Sequence, residues 1–264
     1  VNDAAQLRGP AGVLAVLLLE LGVGSMAVLV AAPIWGVVKR GYFLIVVYSV
    51  AVCGLLASFA AQGPLHRAHG SAAGLAGHFI FEVGLWSVLT GVAASKGAWR
   101  TARALGVAVV LWGISAVGAL AVLRGGSTWA GVAAMVTGAV FVGATWDGML
   151  LGHWYLVDRK LKVDPMKWHT WAYTIGVALA LVSAGLARGG RPTGSEASLN
   201  PLLLVSDLTL YLAFGLVGVC ALLAFFVHKL VNEGSIRAAT GMLYLAVIMA
   251  MAAEFAAKAR FFTV

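Results

Sequence analysis

Eight long apolar runs joined by short polar connections dictate what this chain can fold into. They cover approximately 11–36, 42–62, 72–95, 104–123, 128–157, 168–187, 202–228 and 239–257. A helix rises about 1.5 Å per residue, so roughly 20 apolar residues cross a hydrocarbon core of about 30 Å. Open strands are excluded there, because each unpaired backbone group in lipid costs several kcal/mol. The expected fold is therefore an all-α integral membrane protein. It is a polytopic bundle of eight transmembrane helices, a single transmembrane domain over 1–264. Only 11% of residues are charged, against about 25% in soluble domains. That leaves too little polar surface for a water-facing domain.

The sparse charge is informative. Lys39, Arg40, Lys96, Arg100, Arg103, Arg159, Lys160, Lys162, Lys167, Lys229 and Arg237 follow the odd-numbered runs, eleven in all. The other side carries the remaining seven: Arg8, Arg67, Arg124, Arg188, Arg191, Lys258 and Arg260. The positive-inside rule then puts both termini on the non-cytoplasmic side. The expected location is a bacterial inner membrane. The basic excess is read as a topology signal beside anionic lipid, with no nucleic-acid partner. The opening VNDAAQLRGP lacks a positive n-region, so no cleaved signal peptide is expected. Cys53 and Cys220 stand apart in apolar runs and read as small buried residues. Asp164-Pro165 is a helix-start signal for the sixth run. Residues 20–32 and 82–94 match at six of thirteen positions, a weak internal repeat between the first and third runs.

Five acids fall inside the runs: Glu20, Glu82, Asp147, Asp207 and Glu254. Left ionised and unpaired at mid-membrane, five such groups would together cost over about 10 kcal/mol. They require protons, partners, water or a ligand. His78 and Glu82 are four apart and share a helix face, as do Asp207 and Tyr211. If spans 1, 3 and 7 are neighbours, His78, Glu82, Asp207 and Glu20 form an outer-half constellation suited to exchanging protons with a quinone. Glu254 and Lys258, also four apart, read as a structural pair near the interface. Asp147 has no cation near it in sequence and is a candidate proton relay or ion contact, while Gly143 and Gly148 beside it mark close helix packing.

His153, His169 and His228 fall at similar depth on the opposite side. Histidines on facing helices at one level can ligate a b-type haem, and Trp146, Met149 and His153 would give a flat cofactor one wall. Aromatic and imidazole rings also favour the membrane interface for their own sake. His66 and His69 read as a solvated loop pair.

No Walker A, GxSxG, HExxH or twin CxxC motif occurs, nor a buried lysine for a retinal Schiff base in the seventh run. In outline, eight helices of this size resemble the quinone-reactive anchor subunits of bacterial respiratory enzymes, by architecture alone. The resemblance implies a membrane subunit of an electron-transfer complex that exchanges protons and electrons with a quinone, with or without a b-type haem, and docks other subunits. Midplane carboxylates and glycine-rich helices equally suit a proton- or ion-coupled transporter or channel. A non-catalytic assembly subunit is the third class left open.

Overall fold

The computed structural model describes residues 9–68, 70–158, 160–186, 208–259 and 261. Among these, eight helices are long and apolar enough to cross a membrane. They are α1 (Pro10–Ala31), α2 (Arg40–Arg67), α3 (Ser71–Ser95), α4 (Trp99–Arg124), α5 (Thr128–Val157), α6 (Asp164–Leu186), α7 (Leu208–Asn232) and α8 (Ile236–Lys258).

Local chemistry explains the ends. α1 opens with Pro10 at its first position, where the missing N–H would be unpaired anyway. It stops at Ala31 and not at 36, because Ala32 precedes Pro33 and takes an extended ψ of 134°. α2 runs past 62 through Pro64 to Arg67, so His66 sits in a helical last turn and not in a loop. His69 lies outside the described residues. The side chain of Ser127 accepts from Ala130 N and caps α5. α6 opens at Asp164-Pro165, as the sequence indicates.

We call the side bearing the α1–α2 and α5–α6 connections the basic face, and the side where α1 begins and α8 ends the terminal face. At the basic face, arginines satisfy carbonyls that helix ends leave unpaired. Arg40 donates to Ser95 O at 2.8 Å and Arg103 to Val30 O at 3.0 Å. Lys39 pairs with Asp158 at 3.0 Å, joining the two connections.

The helices form two rings of four. In the first, α1 packs on α2 and α4, and α3 closes the ring between them. In the second, α5 packs on α6 and α8, with α7 completing it. The rings meet chiefly through α1 against α5, with lesser contacts of α4 on α5 and α8 on α1. The most apolar stretch of α1 is accordingly 78% buried, against 33% for α3. Glycines permit this joint. A Cβ on Gly24 would overlap the Ala139 carbonyl, and one on Gly143 would overlap the backbone of Gly24 and Ser25. Backbone-to-backbone approach of this kind is how helices gain dispersion energy in lipid, where hydrophobic burial offers little. The two stretches matched by sequence occupy unlike places, α1 at the joint and α3 at the edge of the same ring. The helix that partners α1 across the joint is α5.

Candidate functional site

The joint between the rings holds two buried polar groups, one near each half of the membrane. Near the terminal face, Lys258 Nζ lies 2.8 Å from Glu254 Oε2 and 3.1 Å from Glu20 Oε1. All three side chains are almost wholly excluded from the surface. The ammonium also donates to Ser183 Oγ at 2.9 Å and Ala134 O at 3.2 Å. Ser183 in turn donates to Ala134 O at 2.9 Å, with Glu254 Oε2 at 3.1 Å. Gly138 makes the room: a Cβ there would stand 2.8 Å from Glu254 Oε2 and 3.0 Å from Ser183 Oγ. Four helices, α1, α5, α6 and α8, thus meet around one lysine. Among the described residues two carboxylates share that single cation, and Glu20 Oε2 has no hydrogen-bond partner.

Beside this group, buried Arg124 donates to Phe261 O at 2.8 Å and to Leu186 O at 3.2 Å. Its guanidinium lies 4.8 Å from the centre of the Phe261 ring. The end of α4 is thereby tied to the ends of α6 and α8.

The second group centres on Asp147, which is fully buried. Ser25 Oγ donates to Asp147 Oδ1 in a short hydrogen bond across the joint. Asp147 Oδ2 has no partner among the described residues. One step further toward the basic face, Tyr42 Oη lies 3.4 Å from Asp147 O and 3.2 Å from His169 Nε2. His169 Nδ1 is 2.9 Å from Pro165 O. A carbonyl can only accept, so Nδ1 carries the proton, Nε2 accepts, and the Tyr42 hydroxyl donates to it. Both ring nitrogens of His169 are therefore engaged.

Together these residues form a column along the joint. Counting about 1.5 Å per residue, Glu20 lies about 15 Å into α1 and Ser25 about 7 Å deeper. Asp147 stands ten residues before the end of α5, and Tyr42 and His169 lie within the first turns of α2 and α6. The order from the terminal face is Glu254–Lys258–Glu20, then Ser25–Asp147, then Tyr42–His169. Between Glu20 and Ser25 no direct hydrogen bond joins the two groups among the described residues.

The expected outer-half constellation does not assemble as a unit. Spans 1, 3 and 7 are not mutual neighbours: α3 and α7 belong to different rings, and α1 barely touches α3. Glu20 faces Lys258 instead. His78 is mostly exposed on α3, its Nε2 3.8 Å from Glu82 Oε1, too long for a hydrogen bond. Glu82 Oε2 accepts from Trp86 Nε1 at 2.8 Å. Asp207 lies outside the described residues, and Tyr211 beyond it is 71% exposed.

Nor are the three histidines gathered. His153 is exposed and bonded through Nδ1 to Tyr244 Oη at 2.9 Å. His228 is partly buried and sits edge-on to Trp171, with centroids 4.8 Å apart. Trp146 donates to Ser49 Oγ at 3.0 Å, and Met149 is buried in the core. These residues do not fit a bis-histidine haem as they stand. His169 has no ring nitrogen left for an iron, and the other two lie against different neighbours. Among the described residues no group of three or more His, Cys, Asp or Glu could hold a metal ion.

Nothing in the sequence singles out Tyr42, an aromatic in the first turn of a span where such rings serve as interfacial anchors. Lys258 likewise looks like half of an interfacial pair. Comparison with protein families, curated proteins and solved structures gives no match for this chain.

Proposed function

We propose that this chain moves protons across the membrane through the joint between its two helix rings, as a proton-coupled transporter or channel. The observation that carries this reading is Asp147. It is a fully buried carboxyl at mid-membrane, with one oxygen held by Ser25 and, among the described residues, no partner for the other and no cation beside it. A buried ionised carboxylate without a counter-charge costs several kcal/mol. A proton arriving at and leaving Asp147 is the simplest event that changes its charge. The neighbours serve that event in order. Glu20 and Glu254 share Lys258 on the terminal side, so a proton joining Glu20 leaves a balanced Lys258–Glu254 pair. Ser25 orients Asp147 by its hydrogen bond. On the basic side, Tyr42 and His169 provide a hydroxyl and an imidazole already hydrogen-bonded to each other. For a proton to cross from Glu20 to Asp147 and from Asp147 Oδ2 to Tyr42, water has to enter and bridge those gaps.

The experiment is flux into liposomes. Reconstituted protein should admit protons down an imposed gradient, and Glu20→Gln and Asp147→Asn should each slow the entry. Entry no faster than in protein-free liposomes would overturn the proposal.

A second reading, the quinone-reactive membrane subunit of a respiratory complex with other subunits docked on it, has one specific observation in its favour. A groove of about 790 Å³ between the terminal-face ends of α2 and α3 is lined by Ser58, Gln62, His66, His78 and Phe81 among others. Its polar groups suit the two oxygens of a quinone ring, and Glu82 stands behind His78 to take up a proton. A bacterial inner membrane is the location that fits this reading. Loss of quinone binding in His78→Ala and Glu82→Gln would support it, and unchanged binding in both would sink it.

A further inference from the structure

On the outside of the second ring, away from the joint, α6 and α7 line a second groove of about 580 Å³. Buried Val177, Val217 and Ala224 line it together with small Ala178, Gly218 and Ala221, and the large Trp171, Leu181, Phe214 and Phe225 are exposed beside them. The lining positions step by three and four along each helix, so each contributes one face. From first to last they span about 15 Å on α6 and about 21 Å on α7. One leaflet of a core about 30 Å thick is of that length. The groove thus has the length of one acyl chain.

Its end at the basic face is different in chemistry. There the Trp171 ring meets His228, 4.8 Å between centroids. One helical turn beyond the groove on α6 stands Lys167, four residues before Trp171. On α7, Lys229 directly follows His228, the last lining residue, and lies one turn past Phe225 on its face of the helix. Both lysines are exposed, and among the described residues neither is in an ion pair; Glu233, a turn past Lys229, makes none with it. Two lysines and a histidine, from both walls, thus stand at the same end of an apolar channel. A zwitterionic headgroup would bring its own cation into this cluster. A headgroup whose only charge is a phosphate would complement it.

We infer that the α6–α7 groove is a binding site for one anionic phospholipid, its acyl chain lying along Ala178, Gly218 and Ala221 and its phosphate held by Lys167, Lys229 and His228. The inference is independent of the proton path, which runs on the other side of α6.

Native mass spectrometry of the detergent-solubilised full chain tests it, with phosphatidylglycerol and phosphatidylcholine of identical chains as probes. The wild type should retain phosphatidylglycerol roughly tenfold or more over phosphatidylcholine, as expected for two basic groups beside one phosphate. The double variant Lys167→Gln/Lys229→Gln should bring the two lipids to near parity. Gly218→Phe should lower retention of both, since Gly218 lines the groove and a Cβ there meets no atom within 4 Å. Equal retention of the two lipids by the wild type would overturn the inference. So would a phosphatidylglycerol preference that survives the double lysine variant. Preferential retention of an uncharged isoprenoid quinone, indifferent to both lysines, would overturn it as well.

Discussion

Lys258 and Glu20 lie on opposite sides of the joint between the two helix rings, with Nζ and Oε1 3.1 Å apart and neither side chain exposed. The last turn of α8 and the middle of α1 are thereby held together by charge. The same lysine also balances Glu254, so its removal would strand two buried carboxylates. Breaking a buried pair by removing one partner costs about 3–5 kcal/mol, whereas replacing the whole group by apolar residues of similar volume is often neutral or stabilising. Lys258→Met should therefore lower the thermal unfolding temperature in detergent sharply, and Glu20→Leu/Glu254→Leu/Lys258→Met should recover most of the loss. A single variant as stable as the wild type would show that the lysine does not hold the joint.

The glycine contact of α1 with α5 predicts an asymmetry among glycines. Gly143→Ala forces a methyl into the Gly24–Ser25 backbone and should destabilise by about 1–3 kcal/mol, the usual cost of overpacking. Gly215→Ala has open space around it and should be neutral or gain up to about 1 kcal/mol of helix propensity. Thermal unfolding of the two variants side by side checks the difference.

Tyr42 gives its one hydroxyl proton to His169 Nε2 and stands 3.4 Å from the backbone carbonyl of Asp147. Tyr42→Phe keeps the ring but leaves the buried His169 Nε2 without its donor, at a cost of about 1–3 kcal/mol. On the proposed path it should also slow proton entry while leaving the apolar packing unchanged. Unfolding temperature and liposome flux, measured on the same preparation, separate the two effects.

Arg124 ties three helix ends through Phe261 O and Leu186 O. Arg124→Met keeps much of the apolar stem and loses both bonds. Hydrogen exchange should rise in the last turns of α6 and α8 and stay unchanged around Asp147. A uniform rise across the chain would mean that Arg124 supports the whole fold, and no rise would mean that its bonds are dispensable.

The eight spans were legible because each apolar run is bounded by charge, Gly or Pro, and the helices follow the runs closely. The shifts at the ends have local causes: Pro33 stops α1 early, while Pro64 near the end of α2 does not stop it. What a one-dimensional pattern cannot carry is which helices touch. Lys258 looked like the i+4 partner of Glu254 and nothing more. That it also reaches Glu20 follows from α8 lying against α1. Asp147 was legible as a costly residue, yet Ser25 and Tyr42 became its neighbours only through the packing of α1 and α2 on α5. Glu20 and Glu82 head similar sequences, but α1 is central and α3 peripheral, so one carboxyl meets a lysine across the joint and the other an indole on its own helix.

Proton entry into pyranine-loaded liposomes, with the membrane potential clamped, shows whether protons pass through Asp147 when wild type, Asp147→Asn and Glu82→Gln are compared. The two variants each remove one membrane carboxylate, one at the joint and one at the edge of the first ring. If the path runs through Asp147, Asp147→Asn slows entry by at least about a hundredfold, the low end of what a positioned acid–base group contributes. Glu82→Gln should then enter at the wild-type rate. Asp147→Asn at the wild-type rate, or both variants slowed alike, would contradict the account.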